Sequence, residues 1–574
     1  MEFIKKRHIP RRMYIKRGFG GYCPRVGLSD SQWFREENLS TRAYPYLRPR
    51  APRRQLNWDR ILALGHMDGL CLIRENSVTY GNTTHNISLG YDKPGDKEVL
   101  SFGSYLIILP DMVWINTARG EEGNCEVMKL LSTRLTLNWC DEEGNLLPEP
   151  VVGKTPPENR EQFWLDTSGI SPVLMEYGED LGKWRQVVRP TIRLTGEEVG
   201  ELFPKGTRVL FGQCSLLEPY LGNKLFEVLA SGRDYLVVEG SIDRGAIDAG
   251  LTQLVIHSPM PLMDHIIVHE NRLWGCRYGL DHNGNFVNEI YASALGDFTS
   301  WYSFRGIASD SYVLSLGEDG PFTGAAVVGG YPVFFKENSL HKIYGTGPEN
   351  YRLQSLSCVG MAYGSSKSGA IMDNALVYLG RDGFYRYDGS VPQKISKDLE
   401  GQTYSHGVGA VLGSIYYGAV EEKDGTHVIL TFDGEKGLWH RESGPRICDF
   451  CRVGGVLYYI TDTAGLFAMG IEEGTDVDKP LRWEAETGLI RRQEDQKGYF
   501  TALRLRVTME PGSSLSVFAD FDSRGVWEPL GQVGGMGTGS REIPLRIRRC
   551  DHFRLKLKGM GDMTLYDLRI EMEG

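Results

Sequence analysis

Between residues 374 and 390 the chain reads "NALVYLGRDGFYRYDGS", an apolar run, a tight polar turn and a second run rich in aromatics. The pattern returns as "NRLWGCRYG" from Asn271, "YPVFFKENSLHKIYG" from Tyr331 and "GVLYYITDTAGLFAMG" from Gly455, with a longer-turned copy from Gly413. Weaker copies start at Gly69 and Ser104. Each copy predicts strand, turn, strand, with apolar residues where both faces of a strand are covered. From residue 331 onward the starts lie 43, 39 and 42 residues apart. A recurring unit of about 40 residues built from short strands predicts the four-stranded blade of a β-propeller, here of six or seven blades. An array of stacked β-sandwiches is the alternative.

The rhythm stops near Gly120 and resumes near Asp264. The segment between contains "RPTIRLTGEEVGELFPKGTRVLFGQC" and "SGRDYLVVEGSI", which predict strands around one short helix at "EEVGELF". It reads as a small β domain inserted at 125–258, because a rigid scaffold tolerates insertions in its loops. After residue 478 the pattern changes again. "GYFTALRLRVTMEPGSSLSVFADF" and "DHFRLKLKG" alternate with period two, as half-buried strands of a C-terminal β-sandwich do, over 479–574. Propeller blades are expected over 55–124 and 259–478, preceded by an extended arm at 1–54.

Composition changes this picture in two ways. Seventy glycines among 574 residues suit a protein of many tight turns. Charge is also uneven: residues 1–54 hold 14 Lys and Arg against 4 Asp and Glu, whereas the whole chain carries a net charge of −10. The basic arm, with Pro45, Pro49 and Pro52 among tyrosines, predicts an extended path over a protein surface rather than a helix in a DNA groove. An adjoining subunit is the expected surface. No apolar run approaches the roughly 18 residues of a membrane helix, and "MEFIKKRHIPRRMYIKR" lacks the apolar core of a secretory signal. The expected product is made soluble in the cytoplasm of the cell that synthesises it.

Candidate chemistry adds little. Cys448 and Cys451 have metal-ligand spacing but no second pair, and the ten cysteines read as reduced residues of strands. Asp281, Asn283 and Asn285 weakly resemble a calcium loop, which a hairpin turn explains more simply. "GGMGTGS" at 534–540 lacks the lysine and helix of a phosphate loop. His440 and His552 stand singly and read as structural, and no nucleophile elbow is present. Trp301, Tyr302, Trp439 and Trp527 could form an aromatic platform for sugars, although their blade-like positions favour the core. The expectation is therefore no catalytic, cofactor-binding or metal-binding residues, no cofactor and no enzyme.

Three stretches carry a resemblance. "GLSDSQWFREENLSTRAYPYLRPRAPRR", "GDFTSWYSF" followed by "PVFFKENSLHKIYG", and "PLRIRRCDHFRLKLKGMGDMTLYDLRIE" are similar to phage β-propeller tail proteins, including the tail-hub, nozzle or head–tail stabilisation proteins of short-tailed bacteriophages. The resemblance implies a structural virion protein. It would form a homo-oligomeric ring below the portal and adaptor, among other tail proteins, and genomic DNA would pass through during ejection without specific binding. The acidic body fits a lumen that repels phosphates. The alternative is a distal tail protein or adhesin that binds host surface glycan, and a polysaccharide-cleaving propeller is a third reading.

Overall fold

The computed structural model describes residues 11–573, apart from 26, 58, 91–92, 223, 464, 472–474 and 492–497. Nearly every element is a strand. Among the described residues the one α-helix is Glu218–Leu221, and no helix is long and apolar enough to cross a membrane. The helix expected at "EEVGELF" is instead a series of turns. Glu198 there has φ 53°, and a Cβ on Gly200 would stand 2.1 Å from the Gly232 carbonyl oxygen, so neither residue fits a helical turn.

Seven small antiparallel sheets recur along the chain, over 63–86, 98–124, 265–315, 324–357, 370–394, 404–443 and 447–469. Each of the seven repeats read from the sequence falls on the second strand of one sheet, for example Arg272–Leu280, Tyr331–Lys336 and Ala375–Gly380. That strand is covered on both faces; all six residues of Ala375–Gly380 are buried. Some outer strands are short and polar, as in Thr83–Asn86 and Arg352–Ser357.

The chain divides into two compact units, one comprising 1–99, 328–340 and 355–574 and the other 100–327 and 341–354. The second unit holds the segment expected as an insertion. There Val127–Cys140 and Ala246–Ser258, paired antiparallel, close a six-stranded barrel with four shorter strands. Leu135, Leu137, Trp139, Phe203 and Leu236 are among the residues filling it. A separate four-stranded sheet lies over 151–186. Trp301 and Tyr302 also belong to this unit and are buried, at 1% and 5% exposure.

The first unit contains the arm, which the sequence reading laid over an adjoining subunit. Three arm strands, β1 (Arg11–Lys16), β2 (Trp33–Glu37) and β3 (Arg54–Asn57), are each paired within the same chain. Their partners are β6 (Met563–Glu573), β5 (Arg482–Thr487) and β4 (Leu466–Met469), respectively. β1 and β2 thus complete the two sheets that enclose the C-terminal core of Trp33, Leu47, Leu503, Leu557 and Leu568.

Charge acts in the same direction. Arg50 forks onto Asp478 at 2.9 and 3.0 Å, Arg53 donates to Glu442 at 2.7 Å, and Arg48 forks onto Asp562 at 3.0 and 2.7 Å. Bidentate arginine, aromatic anchors and edge-strand addition all occur, but within one chain. Partners on the same chain meet at a high effective concentration that a neighbouring subunit must match. Residues 1–10 and 26 of the arm lie outside the described residues.

Candidate functional site

β2 carries an irregularity that shapes its surroundings. Its register on β5 shifts between Trp33 and Arg35, so one extra residue is accommodated there. Strict alternation would turn residues 33, 35 and 37 to one face. With the shift, Trp33 and Glu36 are buried while Phe34, Arg35 and Glu37 reach outward. A carboxylate is thereby placed inside the protein beside an open surface.

Three recesses follow this strand within the first unit. The first, of about 540 Å³, is lined by Lys16, Phe34, Ile490 and Arg554 among others. The second, of about 630 Å³, shares Phe34 with it and adds Tyr22, Glu36, Gln402, Glu422, Asp424 and Arg441. The third, of about 330 Å³, shares Glu37 and Glu484 with the second and extends to Trp483, Ser516 and Lys558. These shared side chains set the three recesses next to one another along β2, a groove in three parts. Its far end needs Gly559, because a Cβ there would stand 1.8 Å from the Trp483 ring.

Glu36 is the floor of the second recess. Its side chain has no solvent exposure, and one carboxylate oxygen accepts from His440 Nδ1 at 2.5 Å. The other oxygen, Oε2, has no hydrogen-bond partner among the described residues; nor does Trp483 Nε1 in the third recess. Burial disfavours charge on His440, but Glu36, Glu442 and Asp433 outweigh it and raise the imidazole pKa above its ordinary value. His440, read from the sequence as structural, is buried and holds Glu36, a group of the groove.

Some of the charged walls are paired with one another, while Arg35, Lys423, Arg482 and Arg491 also line the recesses and are exposed. Arg441 forks onto Glu422 at 2.8 and 3.2 Å and lies 3.5 Å from Glu37. Lys556 and Lys558 stand 3.4 and 3.1 Å from Glu484. Arg554 donates to Glu486 and Asp520 at 2.9 and 3.1 Å while lying over the Phe34 and Trp527 rings. Beside the first recess, Lys16 is 4% exposed and donates to the Asp30 and Gln32 carbonyls. Burial drives its pKa down to about 7, against a smaller opposing effect of Asp30.

The remaining sequence candidates resolve plainly. Trp439 is buried between Phe384 and Phe432, and Trp527 is half-buried under Lys556 at 4.1 Å, so these aromatics form no open platform with Trp301 and Tyr302. Asp281 accepts the Asn283 and Asn285 amides, both at 2.8 Å, and Asn283 accepts from Leu225: a satisfied hairpin turn. Cys451 donates to the Gly65 carbonyl, and burial pushes its thiol up to about 12. Residues 537–540 of "GGMGTGS" lie in a strand, Gly537–Cys550.

Two clusters escaped the sequence reading. Asp522, Asp551 and His552 bring ligand atoms within 4.8 Å of one another, but both His552 nitrogens are engaged, by Asp551 and Ser523, each at 2.7 Å. Elsewhere Lys367 Nζ donates to the Gly95 and Lys97 carbonyls and stands 3.8 Å from Asp449. Glu98 nearby keeps solvent access as a residue, yet the protein crowding its carboxyl pushes the pKa up to about 7.

No protein-family model matches the chain, and no curated protein does. Among solved structures it is similar to an exo-β-1,3-galactanase from Phanerochaete chrysosporium with galactose, at 10% identity and a TM-score of 0.20, covering 53% of this chain and 95% of that one. BamB from Moraxella catarrhalis matches at 13% identity and a TM-score of 0.26, over 66% and 96% of the two chains. An endosialidase of phage phi92 matches at 9% identity and 0.15, over 93% and 74%. With TM-scores this low, none of the three decides an activity or a ligand here.

Proposed function

We propose that this chain is a structural protein of a phage tail that holds host surface glycan in the groove along β2. The observation that carries the reading is a run of polar recesses along β2 in which paired ions, exposed cations and aromatic rings stand side by side. Among the described residues the buried acceptor Glu36 Oε2 and donor Trp483 Nε1 have no hydrogen-bond partner. An extended chain of hydroxyls supplies donors and acceptors in the alternation such a surface requires. The phage setting rests on the sequence resemblance. The seven small sheets are read as blades of one propeller, closed where β3 adds to the sheet that contains β4.

The proposal is binding without cleavage. Three carboxylates of the groove face cations or backbone donors: Glu422 meets Arg441, Glu484 meets two lysines, and Asp424 accepts from Thr426. Titrating the purified protein with host surface polysaccharide tests the reading; saturable binding without release of reducing sugar is expected. Sugar release would replace it with a hydrolase.

The second reading, a hub or nozzle ring below the portal and adaptor, is favoured by charge. Residues 55–574 hold 50 Lys and Arg against 70 Asp and Glu, which suits a channel through which DNA slides. A micrograph of the parent virion separates a position at the portal from one at the distal end.

A further inference from the structure

We infer that the occupant of the groove is an acidic glycan, a sugar chain with a carboxylate or phosphate on its repeating unit, held at intervals by Arg491, Arg35 and Arg482. The inference rests on the glycan reading and narrows it. These arginines line the first, second and third recess in that order. All three are exposed, and none makes an ion pair among the described residues. Register fixes where they stand. Arg491 lies opposite His552 and Arg482 opposite Met560, the two ends of the strand His552–Met560. Arg35 lies opposite Glu486, which in turn lies opposite Lys556 at the middle of that strand. Directly opposed residues of antiparallel strands share a face, as do positions 552, 556 and 560 of one strand. The three guanidinium groups therefore stem from one face of the sheet, about 14 Å apart and about 27 Å from end to end at the usual rise of a strand.

The carboxylates of this face are taken up by other cations. Arg554 is held by Glu486 and Asp520, Lys556 and Lys558 flank Glu484, and Glu37 stands 3.5 Å from Arg441. Of the exposed acids at the rim, Asp424 accepts the Thr426 amide and Asp30 acts on the Lys16 charge. The open arginines are left for a ligand, and the planar fork of each fits a carboxylate or a phosphate. One exposed guanidinium holds an anion weakly, so the grip comes from a chain that meets several of them at once. Their spacing favours a sugar chain over nucleic acid. Duplex DNA carries a charge about every 1.7 Å along its axis, and the acids between the arginines would repel that density. A glycan with one acid per repeat passes those acids with neutral hydroxyls. Phe34, half-buried and shared by the first two recesses, offers ring surface to the apolar face of a sugar.

The test uses the full-length protein and host surface polysaccharide separated by anion exchange into neutral and acidic fractions. The acidic fraction is expected to bind, and to lose about tenfold in affinity when salt is raised about fourfold. Arg35→Gln, Arg482→Gln and Arg491→Gln should each weaken binding about threefold, and all three together about thirtyfold. The urea midpoint should stay unchanged, because none of the three holds an ion partner. Arg134→Gln, at an exposed arginine of the barrel, should leave binding as it is. Reducing the carboxyls of the acidic fraction to alcohols, or removing its phosphates, should abolish binding, and the treatment that does so identifies the acid. Binding of the neutral fraction as tight as that of the acidic one overturns the inference and leaves the glycan reading standing. Binding of the acidic fraction untouched by the triple substitution also overturns it, since the groove is then not the site. Tighter binding of duplex DNA, weakened by the same substitutions, overturns it by giving the face to nucleic acid. If neither fraction binds, the glycan reading itself fails.

Discussion

The arm and the barrel use the same ion pairs to different ends. In the barrel unit, Arg134 meets Asp248 and Arg233 meets Glu198 with both arginines about 70% exposed, so water and salt screen what the charges gain. In the arm, Arg53 and Glu442 are 4% and 5% exposed and Arg50 is 5% exposed. Those arginines are held by several acceptors at once: Asn38, Glu442, the Ser443 carbonyl and Asp478. Removing one member there strands a buried charge. An arginine-rich composition therefore states nothing about stability until burial is known, and the basic arm is a clasp on its own acidic body.

The largest effect expected is from deleting residues 1–57. Loss of β1, β2 and β3 uncovers an edge in three sheets and removes Trp33, Leu39 and Leu47 from the C-terminal core. The truncated chain should aggregate on expression or show no cooperative unfolding; a soluble protein with unchanged far-ultraviolet dichroism would break the comparison.

Arg53→Ala comes next. It removes the closer of two buried cations from Glu442, leaving Arg50 at 3.4 Å, and costs at most about 3–5 kcal/mol, read as a shifted urea midpoint. A change as small as that of a surface pair would show that the site reopens to water.

Lys16→Met probes burial through pH. The Lys16 pKa is lowered from its ordinary value to about 7, so the folded state binds the proton less tightly than the unfolded state does. Lys16 therefore lowers stability most below pH 7, and its cost fades as pH rises from 7 toward about 10.5. The substitution should raise the melting temperature more at pH 6 than at pH 9. An equal gain at both would contradict the burial argument. Smallest of all is Arg134→Ala, exposed on the barrel, for which melting temperature should not change measurably.

The sequence disclosed the repeats because the second strand of each sheet is covered on both faces and therefore written in apolar residues, as in "ALVYLG" at Ala375–Gly380. It hid the outer strands, since Arg352–Ser357 is almost wholly exposed and carries no pattern distinct from a loop. The arm's chemistry was legible and its partner was not: Arg53 finds Glu442 389 positions away, and no local pattern encodes that distance. The groove was hidden for the same reason. Tyr22, Glu36, Gln402, Glu422 and Glu484 meet only after folding. One clue was present: "WFREEN" sets two glutamates in a strand-forming run, where a buried Glu36 requires the extra residue that the register shift supplies.

Amide hydrogen exchange with and without host surface polysaccharide tests the central claim, that β2 forms the wall of a glycan groove. Binding should slow exchange in peptides covering 32–37, 402–404, 422–426 and 482–484, and leave the barrel strands at 127–140 and 246–258 unchanged. Protection elsewhere, or binding without protection along β2, would contradict it.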